Sequence, residues 1–435
     1  MRVVCRYDWF CRGLRVGRGL ALAGLLLAGA AACAAPGAPG PAAAPAVPAS
    51  PSLPAARAST GPAVQVAAGP MLASVRPATP ARAAKAPKAS APASGGPAAD
   101  SPAVPGGSVL AAGNPAGNAA VPAAAQAVDS SHPDHVIGTG TTAGCTSAAV
   151  VQAVAAGGVI TFDCGPQPVT ITMTATAKVV NTSHQVVLDG GGKVTLSGGG
   201  VNRILYLNTC DQAQKYTTGD CFEQQWPQLV VQNLTFTDAY SATPQSPTAS
   251  YGGGAIFDEG GQLKVVDSVF SGNRCYATGP DLGGAAIRAT GMYLPVPVYI
   301  THDTFTGNSC SNGGALSGLY ANFAVYDSLL TGNTATGSGA NPAGSGTPGG
   351  GSGGAIYTDG NGYNLLIDGT AMSGNTAPEG GGAIFFVVDA GGGTLSIAGS
   401  TLRHNTSGSF QNAPGIFDHV DGVNTLPVET GSSVT

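Results

Sequence analysis

Asp258 and Glu259 follow a Gly-Gly-Ala-Ile run, and Arg288 holds a similar place after the next Gly-Gly-Ala. Asp359 reads as the counterpart of Glu259 two units further on. Carboxylates grouped with a cation could bind calcium and abstract a proton, the chemistry a polysaccharide lyase needs. The same residue types also form ion pairs at surface turns, which contribute little. No fixed spacing here enforces a catalytic geometry. Asp258, Glu259 and Arg288 are therefore the catalytic candidates, and a non-catalytic role ranks above them. No cofactor is expected; calcium enters only with the lyase reading.

Other reactive residues have quieter readings. His302 and His404 lie in strand-to-Asn segments as solvated or hydrogen-bonded imidazoles. Asp189 precedes three glycines and reads as a turn residue. Tyr240, Tyr251, Tyr276 and Tyr293 sit in or beside loops, where aromatic rings could stack on sugars. Six cysteines lie beyond residue 130, without a Cys-x-x-Cys pair or a His cluster, so disulfides are expected and a metal site is not. The expected pairs are Cys145–Cys164, Cys210–Cys221 and Cys275–Cys310.

These residues sit on an internal repeat. Units open at Gly253-Gly254-Ala255, Gly283-Gly284-Ala285, Gly313-Gly314-Ala315, Gly353-Gly354-Ala355 and Gly381-Gly382-Ala383. They close with an apolar residue three positions before an Asn: Phe270 and Asn273, Phe305 and Asn308, Leu330 and Asn333, Met372 and Asn375, Leu402 and Asn405. Phe236 and Ala239 mark an earlier, degenerate unit. The Asn spacings are 35, 25, 42 and 30, which a solenoid tolerates if extra residues leave as loops. Short alternating runs between Gly, Asn and Asp suit a coil that turns several times per repeat. Stacked coils would put Phe270, Phe305 and Leu330 in one internal column and the Asn residues in a ladder. Cys275 and Cys310 each follow a ladder Asn by two, so stacking brings them to one corner at disulfide distance. Insertions at 239–252, 274–282 and 334–352 would project from one side.

Composition frames the domain. The chain of 435 residues has 67 Gly and only 9% charged residues. From 131 onward 8 basic face 20 acidic residues, a net of −12 that makes nucleic acid a poor partner. Residues 1–33 carry several arginines and then an apolar run at 19–32, as a signal peptide does. Cys33 after Ala30-Ala31-Ala32 resembles a bacterial lipobox, whose Cys becomes lipidated; cleavage near Ala34 would instead release a secreted protein. Residues 34–130 are Ala/Pro-rich and are expected to be a disordered linker or stalk. Leu426 to Gly431 looks like a sortase signal with one residue too many and is rejected as one. Residues 426–435 are read as a flexible tail. No membrane β-barrel segment is recognised, which argues against a complete autotransporter.

Gly-Gly-Ala-Ile followed by Phe-x-x-Asn resembles the repeats of chlamydial polymorphic outer-membrane proteins. The stretch from Cys145 to Gly165, with Val187-Leu188-Asp189-Gly190-Gly191-Gly192, is similar to the entry of bacterial proteins of the pectin-lyase-like superfamily. The resemblance covers 135–410. It implies an all-β fold, a right-handed parallel β-helix over 131–425, capped by a short N-terminal helix near 146–156. It says little about function. The Asp-Asp and Gly-His-Gly motifs of the superfamily's galacturonan hydrolases are absent. The expectation is an exported cell-surface or secreted adhesion or display module, monomeric, meeting the membrane only through a lipid on Cys33. Its partner would be a polysaccharide or a host or cell-surface ligand. A polysaccharide lyase or glycoside hydrolase acting on acidic polysaccharide, and a purely structural surface protein, are the alternatives.

Overall fold

The computed structural model describes residues 110–215, 220–241, 252–280, 282–340 and 348–435, and the backbone of 104–105. The signal segment, Cys33, Tyr251, most of the linker and parts of all three expected insertions lie outside these residues.

One coil shows how the repeat folds. Ile256–Glu259 lies in a second sheet, Gln262–Val266 and Val269–Ser271 lie in the first sheet, and Asn273 closes the coil. The next coil adds a short strand, Ser309–Cys310, in a third sheet before Gly313. Each strand pairs in parallel with its counterpart one coil away, so sequence-distant segments share one register. The result is a parallel β-helix, with antiparallel pairing among the described strands at Val104–Pro105 and Val423–Asn424.

The core follows from this register. Ile171, Leu196, Phe236, Phe270, Phe305, Leu330, Met372, Leu402 and Val434 occupy equivalent places on successive coils. The expected column of Phe270, Phe305 and Leu330 is thus present and extends at both ends. Its rings stack at 4.8 Å and 4.9 Å, the spacing of paired strands. A second column runs through Leu205, Ile256, Ile287, Leu316, Ile356, Ile384 and Ile416. The small residues of the repeat have a steric cause: a side chain at Gly314 would collide with the backbones of Thr334 and Gly354.

The corners are polar and ordered. Asn273, Asn308, Asn333, Asn375 and Asn405 form the expected ladder, each amide donating to the next Oδ1 at 2.9–3.0 Å. The three expected disulfides are formed, with Cα separations of 5.8 Å, 4.9 Å and 4.7 Å. Cys275–Cys310 spans the Asn corner of adjacent coils. The helix Ser147–Ala156, capped by Thr146, packs Val150, Ala153 and Val154 against the first coils.

Three expectations change. First, residues 110–130 are not free linker: they form a strap against the outer face of the first sheet. Ala125 is buried there, and its neighbours are small enough for the strap to lie flat. Second, Val428–Thr430 and Ser433–Val434 pair with the preceding coil and are not a flexible tail. Gly431-Ser432-Ser433-Val434 repeats the pattern Gly399-Ser400-Thr401-Leu402, which supplies the same bend and core contact. Third, Asp359 stands three coils after Glu259, with Thr290 and Leu319 between them.

Candidate functional site

The second sheet carries the candidate residues, and side-chain alternation along each strand sorts them. Ile256 and Asp258 point into the solenoid, while Phe257 and Glu259 point out. Asp258 is paired in register with Ala289, and Arg288 with Phe257. Asp258 therefore lies in the core, and Arg288 and Glu259 lie on the outer face. The three residues grouped by sequence are divided by the sheet itself.

Asp258 is fully buried, and its carboxylate oxygens accept no hydrogen bond of normal geometry from the described residues. Only the Gly261 backbone N–H lies near enough to favour its charged form. Burial dominates and pushes the carboxyl well above its usual range. Its carboxyl lies in the core, on the opposite side of the strand from Glu259 and Arg288.

Arg288 is also buried, although it faces outward: its Nη1 donates to the Ser317 hydroxyl on the next coil. Gly283 sits against the guanidinium. Glu259 accepts a 2.6 Å bond from the Asn208 amide. Burial holds the Glu259 carboxyl above its ordinary value, against the opposing influences of Asn208 and Arg288. Asp359 is raised by burial and by the nearby charge of Asp389, while a 2.9 Å bond from the Tyr357 hydroxyl works the other way. Arg288 thus acts electrostatically on both outer carboxylates.

Distance limits what Glu259 and Asp359 can do together. Three strand spacings separate their backbones, about 14 Å at ~4.8 Å per strand. Paired glycosidase carboxylates stand roughly 5–9.5 Å apart. Asp359 and Asp389 are closer in the stack, since Asp389 follows the strand next to that of Asp359 and its N–H donates to Gly360. Among the described residues, no group of three or more His, Cys, Asp or Glu side chains is placed to hold a metal ion.

The remaining sequence candidates are structural or peripheral. Asp189 accepts bonds from Ser130, Gln232, Asn233 and the Gly191 N–H, and these hold its carboxyl low despite burial. His302 lies at the bend between the two columns of the first sheet, 2.6 Å from the Asp267 carboxylate. His404 lies at the Asn corner, so the two histidines are out of register, as their sequence contexts imply. Both adopt positive φ, 55° each. Tyr276 is exposed, and Tyr240 lies under the Arg274 guanidinium.

Two features escaped the sequence reading. One is a second polar ladder at the bend of the first sheet, through Ser268, Asp303, Ser328, Thr370, Ser400 and Ser432. A Ser, Thr or Asp two residues before the column's apolar residue, from Phe270 to Val434, could have signalled it. The other is an aromatic group on the outer face of the second sheet. Tyr357, Phe385 and Phe417 stack on successive coils, and Phe410 lies over Phe417 at 4.0 Å.

Residues 369–387 match the family model described as the Chlamydia polymorphic membrane protein repeat. The chain carries that repeat. The match begins at the Gly369 bend, passes Met372 and Asn375, and ends in the strand after Gly381-Gly382-Ala383, so it contains one Asn corner and the following return to the second sheet. The repeat is named for membrane proteins, which supports a surface setting in general terms. Comparisons with curated proteins and with solved structures returned no match.

Proposed function

We propose that this chain is an exported surface module that presents a rigid solenoid face for binding, to a polysaccharide or to a host or cell-surface molecule, without turnover. The observation that carries this reading is the division of the candidate acid–base set: Asp258 is buried in the core, while Glu259 and Arg288 lie on the outer face of the strand pair. Buried ladders and disulfides hold the coils in register, a scaffold suited to presentation. The polymorphic-membrane-protein repeat supports placement at a cell surface, and Cys33 would supply a lipid anchor.

A second reading rests on Asp359 and Asp389. Two carboxylates on adjacent coils, one of them held toward its neutral form, are the raw material of acid–base catalysis on a glycan. A glycan array and a panel of acidic polysaccharides, followed for both retention and unsaturated or reducing-end products, separate the readings. Retention without product supports the binding module. Product formation abolished by Asp359→Asn overturns it. Cys33→Ser should release the protein from membranes if Cys33 is lipidated; unchanged fractionation would remove the anchor.

A further inference from the structure

The excursion that leaves the stack after Asn208 returns through an exposed indole. Trp226 is 44% exposed, whereas every described Phe is buried or half-buried. Gln262 of the next coil fixes the backbone on both sides of it. The Gln262 N–H donates to the Pro227 carbonyl at 3.0 Å, and Nε2 donates to the Gln225 carbonyl at 2.6 Å. Further back, the Glu223 N–H donates to the Gly291 carbonyl at 2.8 Å and the Gln224 N–H donates to the Gly260 carbonyl. The Cys210–Cys221 disulfide closes the excursion. The His184 ring, from the preceding coil, packs on the indole with centroids 4.9 Å apart and planes inclined at 31°. Neighbouring coils thus hold one large apolar ring in water, and the stability that burying it would contribute is forgone.

The surroundings of the indole decide what fits over it. Gln185 and Gln228 are paired in register on adjacent strands of the first sheet. They precede the buried Val186 and Leu229, so both side chains point outward, half-buried and about 4.8 Å apart. Among the described residues neither side-chain amide has a hydrogen-bond partner, nor do the ring nitrogens of His184. Each amide offers both donors and an acceptor. Glu223, Gln224 and Gln225 lead into the indole, so it is not part of the wide apolar patch that a docking protein would need. A single flat apolar face with hydrogen-bonding groups at its edge matches a sugar ring, whose C–H face covers the indole while its rim hydroxyls meet the amides. Glu223 is exposed, and the chain from residue 131 onward is net −12, so an uncharged sugar is favoured over an acidic one.

We infer that Trp226, His184, Gln185 and Gln228 form a subsite for an uncharged hexose unit of a glycan. The inference rests on the binding reading proposed above and gives it a location. The subsite lies on the first sheet, separate from Asp359 and Asp389, so binding there needs no carboxylate chemistry.

The test places the full chain on an array of neutral and acidic glycans, beside its Trp226→Ala and Gln228→Ala variants. Retention of at least one neutral hexose glycan is expected. It should fall roughly tenfold in Trp226→Ala and about threefold in Gln228→Ala. The second variant removes only an outward amide, so it reads the subsite even if the first does not fold. In a Trp9→Phe background Trp226 is the one remaining indole, and its emission should change saturably as cellohexaose or mannohexaose is added. Neutral-glycan retention that both variants leave intact overturns the subsite while the binding reading stands. Retention of acidic glycans alone overturns the choice of ligand. No retention of any glycan overturns the subsite and the glycan reading together. Emission that follows protein concentration rather than sugar marks a contact between copies and also overturns the subsite.

Discussion

The two polar ladders of this solenoid do the same work with different tolerance. At the Asn corner, each side chain accepts from the backbone N–H and the amide of the preceding Asn, and donates to a carbonyl such as Phe270 or Phe305. An amide alone supplies a strong acceptor and two donors at that reach, so all five positions are Asn. At the other bend, one atom must accept from the preceding coil's backbone N–H, and a hydroxyl can also return a proton to the carbonyl two residues earlier. Ser268, Ser328, Thr370 and Ser400 all do both. Ser and Thr are interchangeable there, and Asp303 is admitted. Both ladders follow a residue with positive φ, whether Gly332 and Gly374 at one corner or Asp267 and Asp327 at the other. The geometry of the turn is common to both; the hydrogen-bond count decides how strictly composition is held.

Breaking the stricter ladder should cost most. Asn308→Ala removes the acceptor for both donors of Asn273 and strands the Phe270 carbonyl in the core. At 1–3 kcal/mol for each buried group left unsatisfied, the expected loss is about 3–5 kcal/mol in urea or guanidinium unfolding. Ser328→Ala removes a single acceptor for the Asp303 N–H and one donor to Tyr326, so about 1–2 kcal/mol is expected. Equal losses in the two variants would show that the corners are equivalent after all. Since stability in stacked repeats is largely a sum of neighbour terms, the change should be largest in hydrogen exchange of the coils flanking the substitution.

The same contrast explains what could be read from the chain. The Asn corner was legible because one residue type recurs at one place, with Phe, Leu or Met three positions before it. The Cys275–Cys310 pair followed from that register; the other two pairs were read from the even cysteine count and their closeness in sequence. The Ser/Thr/Asp bend was not legible, since its members share hydrogen-bonding capacity rather than identity, and Ser is common throughout the sequence. Residues 110–130 have the composition of a disordered linker, and residues far away in sequence, Asp189, Gln232, Lys264 and Asp327 among them, order them. The candidate residues are divided for a different reason. Asp258 and Glu259 are adjacent in sequence, but strand alternation sends them to opposite faces. Their value as a pair depended on a strand boundary that Gly-Gly-Ala-Ile alone does not reveal.

An effect read from its pH dependence is the sharpest test of how tolerant the second ladder is. Asp303 takes the place of a hydroxyl and accepts from the Ser268 and Thr301 N–H groups, at 2.7 Å and 3.0 Å. A charged carboxylate cannot donate to the carbonyl two residues earlier, as its Ser counterparts do. Burial is the largest influence on its acidity and holds it well above the usual carboxylate range, against those two hydrogen bonds. A carboxyl whose folded pKa is raised contributes fully below its unfolded value, near 3.8, and its contribution is lost as pH rises toward the folded value. The slope in that window approaches about 1.4 kcal/mol per pH unit. Asp303→Ser removes the titration and restores a donor, although it gives up the Thr301 bond. Its stability relative to the parent should therefore rise between pH 4 and pH 8, as measured by denaturant unfolding at each pH. Asp258→Asn should move in the same direction, because the Asp258 carboxyl is raised by burial too. Parallel pH profiles for Asp303→Ser and the parent would mean that the carboxylate is accommodated in the bend as readily as a hydroxyl. The looser ladder would then be limited by acceptor number alone.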